Sequence, residues 1–335
     1  MSGPGLRIGI VGATGALGGE VLAALDASDL RIGEILAFAT DRSLGEDLEF
    51  QDQIYPVRTE PEGGDLPGID LLFCCAPAAA SIEWVRRALR AQVPCVDCSG
   101  SLADQPDVPL RAAAFAPPPG AEGAPLVATP SGAALAWSLA LAPLHRAAGV
   151  ERVVGTVLET AGAAGRDGIA ALSLESLALF NQQELPEDAQ TTRPLAFDCH
   201  GSVGELADGG RTTAEDALEQ GVRRLLGAEF PVTATVSQVP AFVGQASSLA
   251  VELARPLDPK EAEDHLAQAD GVELWVEDAL GPNLRASAGR DVVIAGRVRR
   301  DASRPHALQL WLVADVLRLA ASNAVALAQA RLQVH

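Results

Sequence analysis

A short apolar run, Arg7–Val11, leads directly into the turn Gly12-Ala-Thr14-Gly15-Ala16-Leu17-Gly18, and a helical pattern follows it. Glycines at that spacing let a backbone approach a pyrophosphate, and the first amides of the helix attract its charge. The pattern predicts a dinucleotide site. Its specificity should lie at the end of the next strand, in Ala39-Thr40-Asp41-Arg42-Ser43. An acid there accepts hydrogen bonds from a ribose 2′-hydroxyl, whereas an Arg accommodates a 2′-phosphate. With the hydroxyls of Thr40 and Ser43 beside Arg42, the expectation tilts to NADP over NAD.

Other reactive residue types are scattered. Cys74, Cys75, Cys95, Cys98 and Cys199 form no framework spacing, so reduced thiols are expected. Cys95-x-x-Cys98 lacks the second ligand pair that zinc needs, and it reads as a buried strand, so no metal is expected. His145, His200, His265, His306 and His335 each stand outside any catalytic motif. The stretch VATPSGAALAWSLALAPLH, Val127–His145, looks like a turn that opens a long helix where a nucleophile would stand, yet it contains no cysteine.

These residues need positioning elements. Arg7–Val11, Ile35–Ala39, Asp70–Cys75, Pro94–Asp97 and Leu126–Thr129 read as strands, with helices at Gly18–Leu25 and Ser81–Arg90, which predicts a parallel βαβ sheet. After about residue 150, runs at 152–158, 232–239, 248–253, 272–276, 291–298 and 307–313 predict a mixed or antiparallel sheet. Apolar residues from Val313 to Leu327 recur at helical spacing. With 335 residues, the chain has room for two cores. Its net charge of −19 disfavours a nucleic-acid partner, because such affinity rests on Lys and Arg displacing counterions. No leader pattern and no uninterrupted membrane-length apolar run are visible, so no membrane partner and a cytoplasmic location are expected.

Six blocks in order resemble the aspartate-semialdehyde dehydrogenase family: GIVGATGALGGEVL, VDCSGSLADQPDVPL, LAPLHRAAGVERVVG, PLAFDCHGSVGE, QVPAFVGQASSLAVEL and LWLVADVLRLAASNAVALAQ. The resemblance implies an α/β fold: a Rossmann NAD(P)-binding domain over 1–129, a dimerisation and catalytic-type domain with a mixed sheet over 130–312, and a terminal helix over 313–335 that packs back on the first domain. It also implies a homodimer and, at the cofactor, a role for Asn323.

The family's reaction needs a thiolate, which is both nucleophile and leaving group, and a base beside it. The resemblance places the thiolate on Gly132 and the catalytic His on Gln245. It places the cations that hold phosphate and substrate carboxylate on Ala103, Gln238 and Ala217. Glycine has no nucleophile, and glutamine cannot take up a proton at neutral pH. The expectation is an inactive paralogue of the Usg type that keeps NAD(P) binding and dimerisation, or pairs with an active paralogue subunit. The alternative is an active NAD(P)-dependent oxidoreductase acting on an aldehyde, with Cys98 as a relocated nucleophile.

Overall fold

The computed structural model describes residues 5–60, 66, 68–118, 120–121, 123–185 and 193–332; His335 and the end of the segment expected over 313–335 lie outside them. The chain divides into two compact units, Met1–Ser131 with Ala320–His335, and Gly132–Leu319.

The first unit is built on a seven-stranded sheet in the order β3-β4-β2-β1-β5-β6-β7. Its strands are β1 (Leu6–Val11), β2 (Ile32–Phe38), β3 (Asp47–Phe50), β4 (Gln53–Arg58), β5 (Leu71–Cys74), β6 (Cys95–Asp97) and β7 (Leu126–Ala128). Every neighbouring pair is parallel except β3 with β4. That hairpin corrects the all-parallel expectation. Its turn residues, Gln51 and Asp52, both take left-handed backbone, at φ 49° and 59°. Hairpin turns of this hand usually announce themselves with Asn-Gly or Asp-Gly, and this one carries neither.

Helix α1 (Ala16–Asp26) and the Ala320–Leu332 part of the last helix cover one face of this sheet, where Ile8, Ile10, Phe73, Val21, Leu25 and Val325 are buried together. Helix α2 (Ala78–Arg90) covers the other, with Trp84 and Val85 against Phe38 and Leu72. Because β1 lies between β2 and β5, successive crossovers leave on opposite sides of it, and a crevice opens at its carboxyl end.

The second unit has a six-stranded mixed sheet in the order β11-β12-β13-β10-β8-β9. The strands are β8 (Val150–Glu159), β9 (Val232–Gln238), β10 (Gln245–Leu253), β11 (Val272–Leu274), β12 (Val293–Arg300) and β13 (Ala307–Ala314). Helices α3 (Gly132–Ala148), α4 (Gly165–Phe180), α5 (Thr213–Leu226), α6 (Pro259–Ala267) and α7 (Leu284–Ser287) complete it, and α8 (Val316–Leu332) starts within it. Helix α3 is buried almost all round. Its Trp137 is fully enclosed and donates to Ser247 Oγ at 2.9 Å. A Cβ at Gly155 would stand 2.6 Å from that ring, so only glycine lets the helix lie this close to β8.

Candidate functional site

In the first unit, the Gly12 and Ala13 amides donate to Phe38 O at 2.7 and 3.1 Å, which fastens the glycine turn to the end of β2. Gly12 has φ 79°, and a Cβ there would meet Ala76 N at 2.8 Å and Cys75 O at 2.9 Å. A Cβ on Gly18 would lie 2.2 Å from Gly12 O. Both glycines are therefore fixed by backbone packing. Gly15 differs. It is exposed and takes extended backbone at the N-cap of α1, with no side-chain cap and no acid in the first turn. The amides of Ala16, Leu17 and Gly18 have no intrahelical acceptor, so this end suits a pyrophosphate.

Thr14 Oγ1 lies 3.1 Å from Ser43 Oγ, which ties the turn to the 3-10 turn Asp41–Ser43. Thr40 and Arg42 are exposed there, and Arg42 makes no ion pair among the described residues. The Asn323 carboxamide is already engaged: its oxygen accepts from Ala113 N at 2.8 Å and its nitrogen donates to Arg111 O at 3.4 Å. It holds the 111–113 loop.

Cys98 follows Asp97, whose fully buried carboxylate accepts from Ser99 N, Ser99 Oγ, Ser101 Oγ and Leu102 N. Those bonds shape the loop that carries Ala103. A hydrogen bond with Cys75, then burial, then the Asp97 charge push the Cys98 thiol well above its ordinary value. A thiol so held stays protonated and is a poor nucleophile. Cys95 is a buried strand residue with Cys74 Sγ 3.6 Å away, and no group of metal-ligating side chains occurs among the described residues.

In the second unit the aligned positions converge on one end of the sheet. Glu159 ends β8, paired with Gln238 of β9 and Gln245 of β10, and Gln245 is paired in turn with Ala314 of β13. All four share the face that α3 covers, because directly opposed strand residues point the same way and Ser247, two residues along from Gln245, meets Trp137. Gly132, the first residue of α3, belongs to this end. A Cβ built on it would lie 2.5 Å from Val316 Cβ and 3.1 Å from Val316 O, two residues beyond Ala314.

Arg211 and Lys260, two candidates to replace the cations that the resemblance lacks, are engaged elsewhere. Ala217 is exposed on α5, and Arg211, ahead of that helix, is bound to Asp216 and Glu219. The chain's sole lysine, Lys260, pairs with Glu263 and Asp264 on α6. His145 accepts from Val150 N at 2.9 Å and His200 Nε2 lies 3.0 Å from Pro194 O, so both serve backbone groups. Glu159 went unnoticed in the sequence reading. It is mostly buried, and desolvation pushes its carboxyl up to about 7. The available signal was its phase: Val153, Gly155, Val157 and Glu159 fall on one face at period two, so the acid points inward.

Residues 7–118 match the family description "Semialdehyde dehydrogenase, NAD binding domain", and residues 141–319 match "Semialdehyde dehydrogenase, dimerisation domain". The chain belongs to the aspartate-semialdehyde dehydrogenase family. An aspartate-semialdehyde dehydrogenase of Aquifex aeolicus is 29% identical over 332 residues, covering 97% of each chain. A USG-1 protein homolog of Azotobacter vinelandii is 31% identical over 330 residues, again 97% of each. The crystal structure of aspartate semialdehyde dehydrogenase II from Vibrio cholerae, complexed with ASA, superposes with a TM-score of 0.92 at 28% identity, covering 99% of each chain.

The first unit carries the NAD-binding domain of the aspartate-semialdehyde dehydrogenase family, and the cofactor is NADP or NAD. The uncapped start of α1 fits the pyrophosphate, and the bound group would supply a hydride-accepting ring. The second unit is a dimerisation domain. No described helix is long and apolar enough to cross a membrane.

Proposed function

We propose that this protein is an inactive, Usg-type member of its family, which binds NADP through Gly12–Gly18, Thr40, Arg42 and Ser43 and forms a homodimer through its second unit. The observation that carries this reading is the contact at Gly132. The position that would bear the nucleophile has no side chain, and Val316 fills the space where even a Cβ would stand. Around it, the base and carboxylate-clamp positions are Gln245 and Gln238, neither of which takes up a proton or carries charge. A thioester route asks for a thiolate, a proton acceptor and anion-holding cations acting together. Burial and Cys75 keep the Cys98 thiol protonated, which argues against it as a relocated nucleophile.

The test is NADPH appearance at 340 nm with purified protein, aspartate semialdehyde and phosphate, run beside Cys98→Ala. No turnover above background is expected from either protein. Clear turnover by the unaltered chain would overturn the reading, and its loss in Cys98→Ala would assign that thiol as the nucleophile.

A further inference from the structure

Cys74, Cys75, Cys95 and Cys98 all stand on or just beyond β5 and β6, and they sort into two pairs by sheet face. Cys74 and Cys95 belong to the core under α2, and their sulfurs lie 3.6 Å apart. Cys75 and Cys98 pack against the core on the opposite face, the one that α1 covers. Successive residues of an extended chain point to opposite faces, so the Cys74-Cys75 doublet serves both pairs.

Register brings the second pair together. β5 and β6 are parallel with Cys74 opposite Asp97, and Cys98 N donates to Cys74 O at 2.9 Å, which carries the pairing one residue beyond both strands. Cys75 and Cys98 are thus direct neighbours on one face, across strands that lie about 4.8 Å apart. A disulfide spans Cα atoms about 4.4–6.8 Å apart, so the bond can close without moving either strand. Access then separates the two pairs. Cys74 and Cys95 are 0% and 2% exposed, whereas Cys75 and Cys98 are each partly open to solvent.

We propose that Cys75 and Cys98 are a redox-active thiol pair that low-molecular-weight disulfides convert to an intramolecular disulfide. In the first step the Cys75 thiolate, its proton lost to solvent, attacks one sulfur of RSSR, which forms a Cys75 mixed disulfide and releases RS−, protonated to RSH. Cys98 Sγ then attacks the Cys75 sulfur, the bond from Cys75 to SR breaks, and the Cys98 proton passes to the departing RS−. Two protein thiols are oxidised by two electrons, and RSSR is reduced to two RSH. The order follows from the proton: the Cys98 thiol keeps its own beside Cys75, so Cys75 attacks first. A Cβ on Gly12 would stand 2.9 Å from Cys75 O, so the new bond locks the segment against which the glycine turn packs.

The experiment treats the nucleotide-free full chain with oxidised glutathione, blocks remaining thiols with iodoacetamide and maps tryptic peptides by mass spectrometry. Arg86, Arg87 and Arg90 lie between the two cysteines, so the bond appears as two linked peptides. The linked species should form in the unaltered chain, disappear with dithiothreitol, and persist when Cys74→Ala and Cys95→Ala together remove the buried pair. Should that double variant fail to fold by circular dichroism, fragmentation of the linked peptides from the unaltered chain locates the bond instead. Cys98→Ala should leave glutathione trapped on Cys75, and Cys75→Ala should carry at least severalfold less glutathione on Cys98. No linked species in the unaltered chain, a bond located at Cys74 or Cys95, a linked species that survives Cys75→Ala, or more glutathione on Cys98 than on Cys75 would overturn the proposal.

Discussion

Glu159 couples the fold to pH. Burial lifts its carboxyl from an ordinary 4.5 to about 7, so between these values the folded chain holds a proton that the unfolded chain has released. The stability linked to that proton is fully present below 4.5 and is lost as pH rises to about 7. At about 1.4 kcal/mol per tenfold change in acidity, the loss is roughly 3 kcal/mol. Urea midpoints measured at about pH 5 and about pH 8 should show it, and Glu159→Gln should flatten the difference. A variant that falls as steeply as the parent would refute the assignment.

The neighbouring Gly132 gives a second residue-scale expectation. Its φ is not left-handed, so backbone freedom does not explain it; the Val316 contact does. Gly132→Cys and Gly132→Ala should each lower stability by about 1–3 kcal/mol through overpacking, which outweighs the helix propensity gained. Val316→Gly should recover part of that loss in the double variant, read by thermal melts. A rise in Tm for Gly132→Ala alone would show the contact to be harmless.

At the scale of elements, the strand–turn–helix of the first unit offers a clean separation of folding from binding. Gly15 already has N-cap geometry, and aspartate is a preferred N-cap residue. Gly15→Asp asks Gly12 O, 3.2 Å from the new Cβ, to give slightly, while it places a carboxylate where the pyrophosphate would sit. The variant should melt within about 1 kcal/mol of the parent yet lose NADP binding by isothermal titration. Retained affinity would remove the glycine turn from the cofactor site. Arg42→Ala, on the exposed 3-10 turn, should weaken NADP about tenfold or more and leave NAD unchanged, since a charge-assisted contact of roughly 1.5–3 kcal/mol exists only with the 2′-phosphate. An equal effect on both nucleotides would assign the site to NAD.

For the whole molecule, the informative surface is in the second unit, where Phe242, Val243 and Leu280 are 45%, 42% and 81% exposed. They line one groove with Leu158, Trp311 and Leu284 of α7, on the sheet face opposite α3. Exposed apolar area of this kind, in a domain whose family description is dimerisation, is expected to be covered by a second copy. Phe242→Asp with Leu280→Asp should convert the dimer to a folded monomer in sedimentation velocity, with circular dichroism unchanged. A double variant that sediments as the parent does would place the interface elsewhere.

The βαβ order of the first unit, the glycine turn and the terminal helix were legible in the residues, because these depend on local periodicity and on glycine spacing along a few positions. Residue type alone also means that Gly132 and Gln245 cannot supply a thiolate or a proton acceptor in any fold. The β3–β4 hairpin escaped it because Gln51 and Asp52 adopt a turn their types do not advertise. Tertiary structure alone decided that Glu159 stands beside Gln238 and Gln245, residues about eighty positions away in the chain that strand register brings opposite one another. It likewise decided the fate of Cys98, since the acidity of a thiol is set by its burial and by Cys75 and Asp97 around it. The closed space at Gly132 is of the same kind, because Val316 reaches it only when the strand before α8 is laid into the sheet.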